Sequence, residues 1–591
     1  MHSDRVGPLL TNFLAAAIIL LAVACTGPGQ PGTHPTVKWI LACRVGAGGF
    51  GCYPGDSAFT SRTGMALEAL SDLGFLPELA ERDSLIAWLQ ARQGEDGGFL
   101  EAPGFYRSRK GLPWGSQSGL EPTYWGLRAL NLLGADPVDS EAAAVFIKAR
   151  YQTEEGGFDA FEYAWGAAPA TLYSTFWAVG AFRELGEPVP EKTKLAEWVR
   201  NHQNTTGGRG GFTLSRDNFN FSSAAGTYYG VRCLSLLDAE PERPQEVKRF
   251  LLSSYGQEAD GGFEVGHGDD WNNYDHYSRI QDTYGAVAAL ELLGRPLTDD
   301  DSSRAKNPRS DCRDWISSVQ NPDGGFGRLG VTDQTPLPSP SEMMATWQAV
   351  RALNILGFPT PRPAKEQEAQ AETERHIPKH LHPIVNHHDP TEVLAFRRIA
   401  LPIYNHFLEV TGTHSEAIFM VSRWVRAAVG PENVSQVRRG AGRSFLMHGW
   451  GQCGTMSWVL QAMATSVDHA ARGTFAYGDA NTEILVREDN WDGDHWICYI
   501  PFTNEYLGSE QPSPDGQHNG WSALDLVLNH HRNAEFLNYP SKTELGDHRF
   551  WRVWLETIDD SQGNWGPETK IDSSWTYGDQ KSLEIYPGRS W

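Results

Sequence analysis

At 591 residues the chain is too long for one ordinary hydrophobic core, so more than one domain is expected. With 40% hydrophobic and 21% charged residues it reads as folded and soluble, while a formal net charge of -23 without a Lys/Arg cluster excludes a phosphate-backbone partner such as nucleic acid. Seven cysteines with no CxxC pair argue against a structural zinc site.

Taken in order, the chain begins with Arg5 ahead of an apolar run from Phe13 to Ala24, then Thr26, Gly27, Pro28 and Gly29. That run is too short to span a bilayer comfortably and fits a secretory signal over residues 1–25. Its end, Leu21-Ala22-Val23-Ala24-Cys25, resembles a bacterial lipobox, with Ala22 where Leu is commonest. The resemblance implies cleavage before Cys25, lipidation of that cysteine, and a place in the cell envelope with membrane contact through the lipid alone. Plain secretion with an incidental cysteine is the alternative. In an exported chain Cys43 and Cys52 are candidates for a bridge.

From residue 36 to 360 one pattern recurs: a Gln, three residues, then Gly-Gly-Phe. Gln93 leads to Gly97-Gly98-Phe99, Gln152 to Gly156-Gly157-Phe158, Gln257 to Gly261-Gly262-Phe263 and Gln320 to Gly324-Gly325-Phe326. Gln203 reaches Gly210-Gly211-Phe212 across an insertion, and Gly48-Gly49-Phe50 has Arg44 in place of Gln. Each copy follows one amphipathic run, such as Ser84 to Gln93, and precedes another that opens at a Thr: Thr63, Thr123, Thr175, Thr227, Thr283 and Thr346. Apolar residues recur at i, i+3, i+4 and i+7 and several runs end at Gly, so two helices per unit and six units are predicted. The Gly pair suits a tight turn and the Phe packs where units meet.

These motifs resemble the repeats of protein prenyltransferase β subunits and of squalene and hopene cyclases, which implies an all-α α6/α6 toroid over 36–360. The prenyltransferase resemblance further implies a catalytic zinc held by Asp, Cys and His at inner-helix starts. Gln281-Asp282-Thr283-Tyr284 and Ser341-Glu342-Met343-Met344 offer one Asp but neither Cys nor His, so no metal is expected. The cyclase resemblance implies an Asp-rich acid motif before Thr. Only Asp282-Thr283 survives, and Asp282 reads as a helix N-terminal cap. No cofactor is expected. What remains is a row of aromatics directly after the repeat Thr: Tyr124, Phe176, Tyr228, Tyr284 and Trp347, with Gly64 in the first unit. They are placed near the mouth of the toroid cavity, either as core packing or as walls for an apolar or extended ligand.

Pro359, Pro361 and Pro363 end the array, and 361–390 reads as a linker. Its His376, His380, His382, His387 and His388 are too irregularly spaced for a metal site and read as a solvated connector. A second domain follows over 391–591. A helix is predicted from Glu416 to Val429, and Gly451-Gln452-Cys453-Gly454 opens another, whose unpaired amides favour a thiolate at Cys453 and an oxyanion beside it. His495 begins a strand candidate and Asp525 ends a later one.

Cys453, His495 and Asp525 in that order resemble the transglutaminase-like superfamily, as do Ala471-Arg472 and Gly520-Trp521 before Leu524-Asp525. The resemblance covers about 410–530 and implies an α+β papain-like domain. It also implies an acyl-transfer enzyme that takes a peptide or protein amide, with Cys453 as nucleophile, His495 as base, Asp525 orienting it and Gln452 aiding the oxyanion. Another alignment puts Asp479 in place of the His and gives an inactive domain, and His518 is a third candidate base. The expected function is therefore a cysteine-dependent peptidase, amidase or cross-linker with a toroid scaffold. An isoprenoid-handling toroid enzyme and a non-catalytic envelope binding protein are the alternatives. The C-terminal tryptophans Trp551, Trp554, Trp565, Trp575 and Trp591 either cover the domain or grip a sugar.

Overall fold

The computed structural model describes residues 34–367 with gaps, the longest at 103–117 and 265–276. It then describes 390–431, 450–507 with short gaps, and strand segments at 536–537, 551–555, 569–573 and 585–587. Cys25, the linker histidines, Gln452, His518 and Asp525 lie outside the described residues.

The first twelve helices alternate in role. The outer set is α1 (Pro35–Ala42), α3 (Arg82–Gln90), α5 (Ser140–Lys148), α7 (Lys192–Arg200), α9 (Pro244–Ser253) and α11 (Pro308–Ser318). The inner set is α2 (Thr60–Asp72), α4 (Leu120–Leu132), α6 (Leu172–Leu185), α8 (Ala224–Leu236), α10 (Ile280–Leu292) and α12 (Met343–Ile355). Each inner helix packs on the next and α12 packs back on α2, so the six predicted units close into an α/α toroid. Several inner helices stop where the pattern says they should, at left-handed glycines such as Gly74, Gly186 and Gly357.

The repeat motif is the joint of this ring. Gly324 adopts φ +91, and a Cβ on it would come 2.4 Å from the Pro35 carbonyl carbon at the start of α1. Only glycine serves at that position, for conformation and for space. A Cβ on the second glycine would meet an aromatic ring of the neighbouring outer helix: Trp88, Phe146, Trp198, Phe250, Trp315 and finally Trp39, which closes the circle. The six motif phenylalanines are wholly buried, each burial contributing about 1.5–3 kcal/mol. Their amides all donate to the repeat threonine, at 2.9 Å for Phe50 to Thr63 and Phe99 to Thr123 and 3.0 Å in the other four units.

The motif Gln bridges units. Gln93 Nε2 donates to the carbonyls of Gly97 (3.0 Å) and Asp139 (2.6 Å), and its Oε1 accepts from Asp139 N at 3.0 Å. In the first unit Arg44 substitutes for it by pairing with Glu81 at 3.4 Å. Cys43 and Cys52, the candidates for a bridge, are both buried and are not joined to each other. The Cys43 thiol donates instead to the Trp39 carbonyl at 3.3 Å.

The second unit packs helices on an antiparallel sheet. The helices are α13 (Pro390–Thr411), α14 (His414–Ala428, close to the predicted 416–429) and α15 (Cys453–Ser466). The strands are β1 (Ala471–Ala476), β2 (Asp479–Arg487), β3 (Asp494–Ile500), β4 (Glu505–Leu507), β5 (Phe536–Leu537), β6 (Trp551–Leu555), β7 (Thr569–Ser573) and β8 (Ile585–Pro587), in the order β5-β4-β3-β2-β1-β6-β7-β8. Helix α13 has Pro402 inside it and was not anticipated from the sequence. Phe396 and Ile399 of α13 share one apolar cluster with Cys52, Tyr53, Phe59, Ala102 and Leu329 of the toroid, and the Arg398 guanidinium lies 4.1 Å from the centre of the Tyr53 ring. This docks the second unit on the toroid end where the inner helices begin. Among the described residues no helix is long and apolar enough to cross a membrane.

The threonine joint has a measurable worth. Thr346→Val keeps the shape but strands the buried Phe326 amide, and is expected to cost about 1–3 kcal/mol in denaturant unfolding. A loss within error of zero would show that the joint does not depend on that bond.

Candidate functional site

The same threonine sets the direction of its neighbours. Thr63 Oγ1 also donates to the Phe59 carbonyl at 2.7 Å and Thr123 Oγ1 to that of Gly119 at 2.6 Å, so the first helical turn is fixed. The next residue in each unit then faces the axis. Tyr124, Phe176, Tyr228, Tyr284 and Trp347 are brought together as the sequence predicted, in ring contact from unit to unit. Centroids lie 6.1 Å apart for Tyr124–Phe176, 6.0 Å for Phe176–Tyr228, 5.2 Å for Tyr228–Tyr284 and 5.1 Å for Tyr284–Trp347. The first unit has Gly64 because Trp125 fills its place, and a Cβ there would come 2.7 Å from Trp125 Cε3. Trp125 closes the circle against Trp347 at 5.2 Å.

These rings and the helix turns beyond them enclose a cavity of about 180 Å³. The rings do not sit at its mouth, as expected from the sequence, but deeper in the wall. The inner-helix starts lie toward the docked second unit, and the mouth is at the opposite end, marked by exposed Glu291 and half-exposed Leu292 and Ile355.

One turn past the aromatics, the column five residues after the repeat Thr reads Glu68, Arg128, Gly180, Arg232, Ala288 and Arg351. Its four charges carry a signal that the sequence reading passed over. Glu68 accepts from Arg128 Nη2 and from Trp347 Nε1, both at 2.9 Å. Arg128 also pairs with Glu184 at 3.6 Å, and Arg351 Nη1 reaches both Asp72 oxygens at 3.0 Å. Arg232 lines the cavity and has no ion-pair or hydrogen-bond partner among the described residues.

Asp282 is not the cap the sequence suggested. Helix α10 has no side-chain cap bond, and the buried carboxylate pairs with Arg279 Nε at 2.8 Å. Burial pushes its carboxyl up and Arg279 opposes that. Glu342 is held in the same way by Arg328 at 2.6 Å. Neither acid lines the cavity, and among the described residues no three His, Cys, Asp or Glu side chains gather to hold a metal.

A further, half-buried acid pair lies near the helix starts. Burial pushes Glu101 up to about 7, helped by the charge of Glu121. Burial also raises Glu121 to about 7, against the pull of Arg62 and a 2.7 Å hydrogen bond from the Tyr173 hydroxyl.

In the second unit Cys453 opens α15 and His495 lies on β3, as the sequence predicted, but the packing sends them apart. Ser457 Oγ, one turn into α15, lies 2.8 Å from Thr482 Oγ1 of β2, and His469 beyond the helix lies 3.0 Å from the Leu485 carbonyl. Helix and strand therefore run the same way. On β3 Tyr499 pairs with Thr482, whereas His495 pairs with Val486. Four strand residues, about 13 Å, and a helical turn, about 6 Å, separate His495 from Cys453. Asp479, the first residue of β2, is at the Cys453 end.

The family model described as the prenyltransferase alpha-alpha toroid domain matches residues 10–103, 115–218 and 213–359. These segments span more than half of the chain, and the chain belongs to that family. No curated protein matches it. Among solved structures it is similar to Candida albicans protein geranylgeranyltransferase-I complexed with GGPP, with 16% identity, TM-score 0.38, 50% of this chain and 83% of that one. It is also similar to the type II terpene cyclase MstE from Scytonema, with 14% identity, TM-score 0.35, 55% of this chain and 95% of that one. At these identities and TM-scores neither carries an argument about ligand or activity.

The acid pair gives a pH test. Both carboxyls titrate in the fold at about 7, above the ordinary 4.5, so the fold holds these protons more tightly than the unfolded chain. Their contribution to stability is full below about 4.5 and is lost as pH rises through about 7. Glu121→Gln is expected to flatten that decline in denaturation measured across this window, and an unchanged slope would mean that Glu121 is ionised in the native protein.

Proposed function

We propose that the toroid handles a short isoprenoid-type ligand, an apolar chain with an anionic head, inside the ring of Tyr124, Phe176, Tyr228, Tyr284 and Trp347. The observation that carries this is the pairing of a continuous aromatic wall with Arg232, a cavity-lining guanidinium with no protein partner among the described residues. Aromatic faces suit an unsaturated chain, and a guanidinium binds phosphate oxygens through two parallel hydrogen bonds. The cavity of about 180 Å³ is below the usual range of ~300–1,000 Å³ for ligand pockets, which favours a short chain. In calorimetric titration geranyl diphosphate is expected to bind more tightly than geraniol. Arg232→Ala is expected to weaken the diphosphate about tenfold or more, equal to about 1.4 kcal/mol, and to leave geraniol unchanged. Failure of both ligands to bind, or indifference of the diphosphate to Arg232→Ala, would sink this reading.

A second reading concerns the C-terminal unit. A helix opening at Cys453 on an antiparallel sheet supports a transglutaminase-like domain. Acyl transfer to a peptide amide would require the Cys453 thiol to reach a base, and the placement of His495 at the other end of the β2–β3 ladder speaks against it as that base. The non-catalytic form, with Asp479 at the end of β2 where α15 begins, is the better proposal. An electrophilic amide mimic is then expected to label Cys453 slowly and at the same rate after His495→Ala. Fast labelling that His495→Ala abolishes would restore the catalytic reading.

A further inference from the structure

Away from both sites, three side chains of the second unit converge on one point. Tyr404 of α13 is buried, and its hydroxyl is hydrogen-bonded to Nδ1 of His414, the first residue of α14, and lies 2.8 Å from Nε2 of His469, just past α15. Both imidazoles are half-buried. His469 Nδ1 lies 3.0 Å from the Leu485 carbonyl oxygen of β2. A carbonyl only accepts, so Nδ1 carries the proton and Nε2 presents its lone pair toward Tyr404.

We propose that Tyr404, His414 and His469 form a binding site for a divalent transition-metal cation of the zinc class. Its ligands are His414 Nδ1, His469 Nε2 and the Tyr404 oxygen. Two imidazoles and one anionic oxygen suit zinc and its neighbours in the first transition row, whereas calcium and magnesium prefer all-oxygen shells. Three protein ligands leave the fourth tetrahedral position to solvent, which the half-buried rings admit. The Leu485 carbonyl plays the part of the outer partner that fixes a ligating imidazole in one tautomer and orientation. On loading, two N–metal bonds and one O–metal bond form, the Tyr404 hydroxyl proton leaves to solvent, and His414 gives up its Nδ1 proton and takes one from solvent at Nε2, so that it ligates as a neutral imidazole. The ligands come from α13, the start of α14 and the exit of α15, and β2 backs one of them, so the ion would clamp four elements that the sequence spaces up to about 80 residues apart. No ligand spacing along the chain announces such a site.

The probe is zinc alone, added to the full chain with His376, His380, His382, His387 and His388 changed to Ala so that they do not compete. Elemental analysis after dialysis is expected to find one retained zinc per chain, and the thermal midpoint is expected to rise with zinc but not with magnesium. His414→Asn and His469→Gln keep hydrogen-bonding groups near the ring nitrogens but are poor zinc ligands, and each is expected to lose the retained ion. Tyr404→Phe is expected to weaken it. No retained zinc, or equal retention by the His414 and His469 variants, would overturn the proposal. Should those variants fail to fold, the unaltered His414 and His469 protein decides, since absence of a zinc-specific rise in its midpoint overturns the site equally.

Discussion

The hydrogen bond from each motif Phe amide to the repeat threonine is the constraint on which the toroid depends. The Gly-Gly turn delivers that amide, and the threonine oxygen receives it while donating to the carbonyl one helical turn back, as Thr63 does to Phe59. One small side chain thereby ties an interhelix turn to the start of an inner helix, and six such ties fix six helices in the same rotation. Because the residue after the threonine has no freedom to turn outward, the aromatic ring around the axis follows from the joint. The buried Phe–Thr bond and the aromatic seated on the second glycine reinforce each other, since loss of either opens a void against its neighbour.

The two ends of the inner-helix ring have different chemistry. At the starts, acids are held: buried Asp282 by Arg279, buried Glu342 by Arg328, and half-buried Glu121 near Arg62 under the Tyr173 hydroxyl. The second unit docks at that end through Tyr53 and Phe59. Toward the helix ends the charges form bridges between units, Glu68 with Arg128 and Asp72 with Arg351, and the cavity opens there. Arg232 lines the cavity one helical turn from the aromatic wall, on the side of that opening.

Much of this was legible in the residues. Six Gly-Gly-Phe motifs, alternating helical runs and terminal glycines gave the ring and the aromatic row, because each is a local pattern repeated. The charged column at Glu68, Arg128, Arg232 and Arg351 has the same period and was equally readable. That no disulfide joins Cys43 and Cys52 was not legible, because nearness along the chain does not bring two sulfurs into bonding geometry. Nor was the role of Asp282, since a first-turn acid serves as well for a cap as for an ion pair.

The sequence by itself determined the repeat, the number of units, the helical character of each run and the residues that face the axis, since all of these follow from short-range periodicity and turn chemistry. Only the tertiary structure decided which end of the cavity is covered, which cavity guanidinium has no partner among the described residues, and that Tyr404, His414 and His469 meet. It also decided that Cys453 and His495 lie apart, although their order along the chain suggested otherwise. The reason is strand register and helix direction: a helix laid along β2 and an antiparallel β3 send one residue to each end, and that choice is made by packing across the sheet.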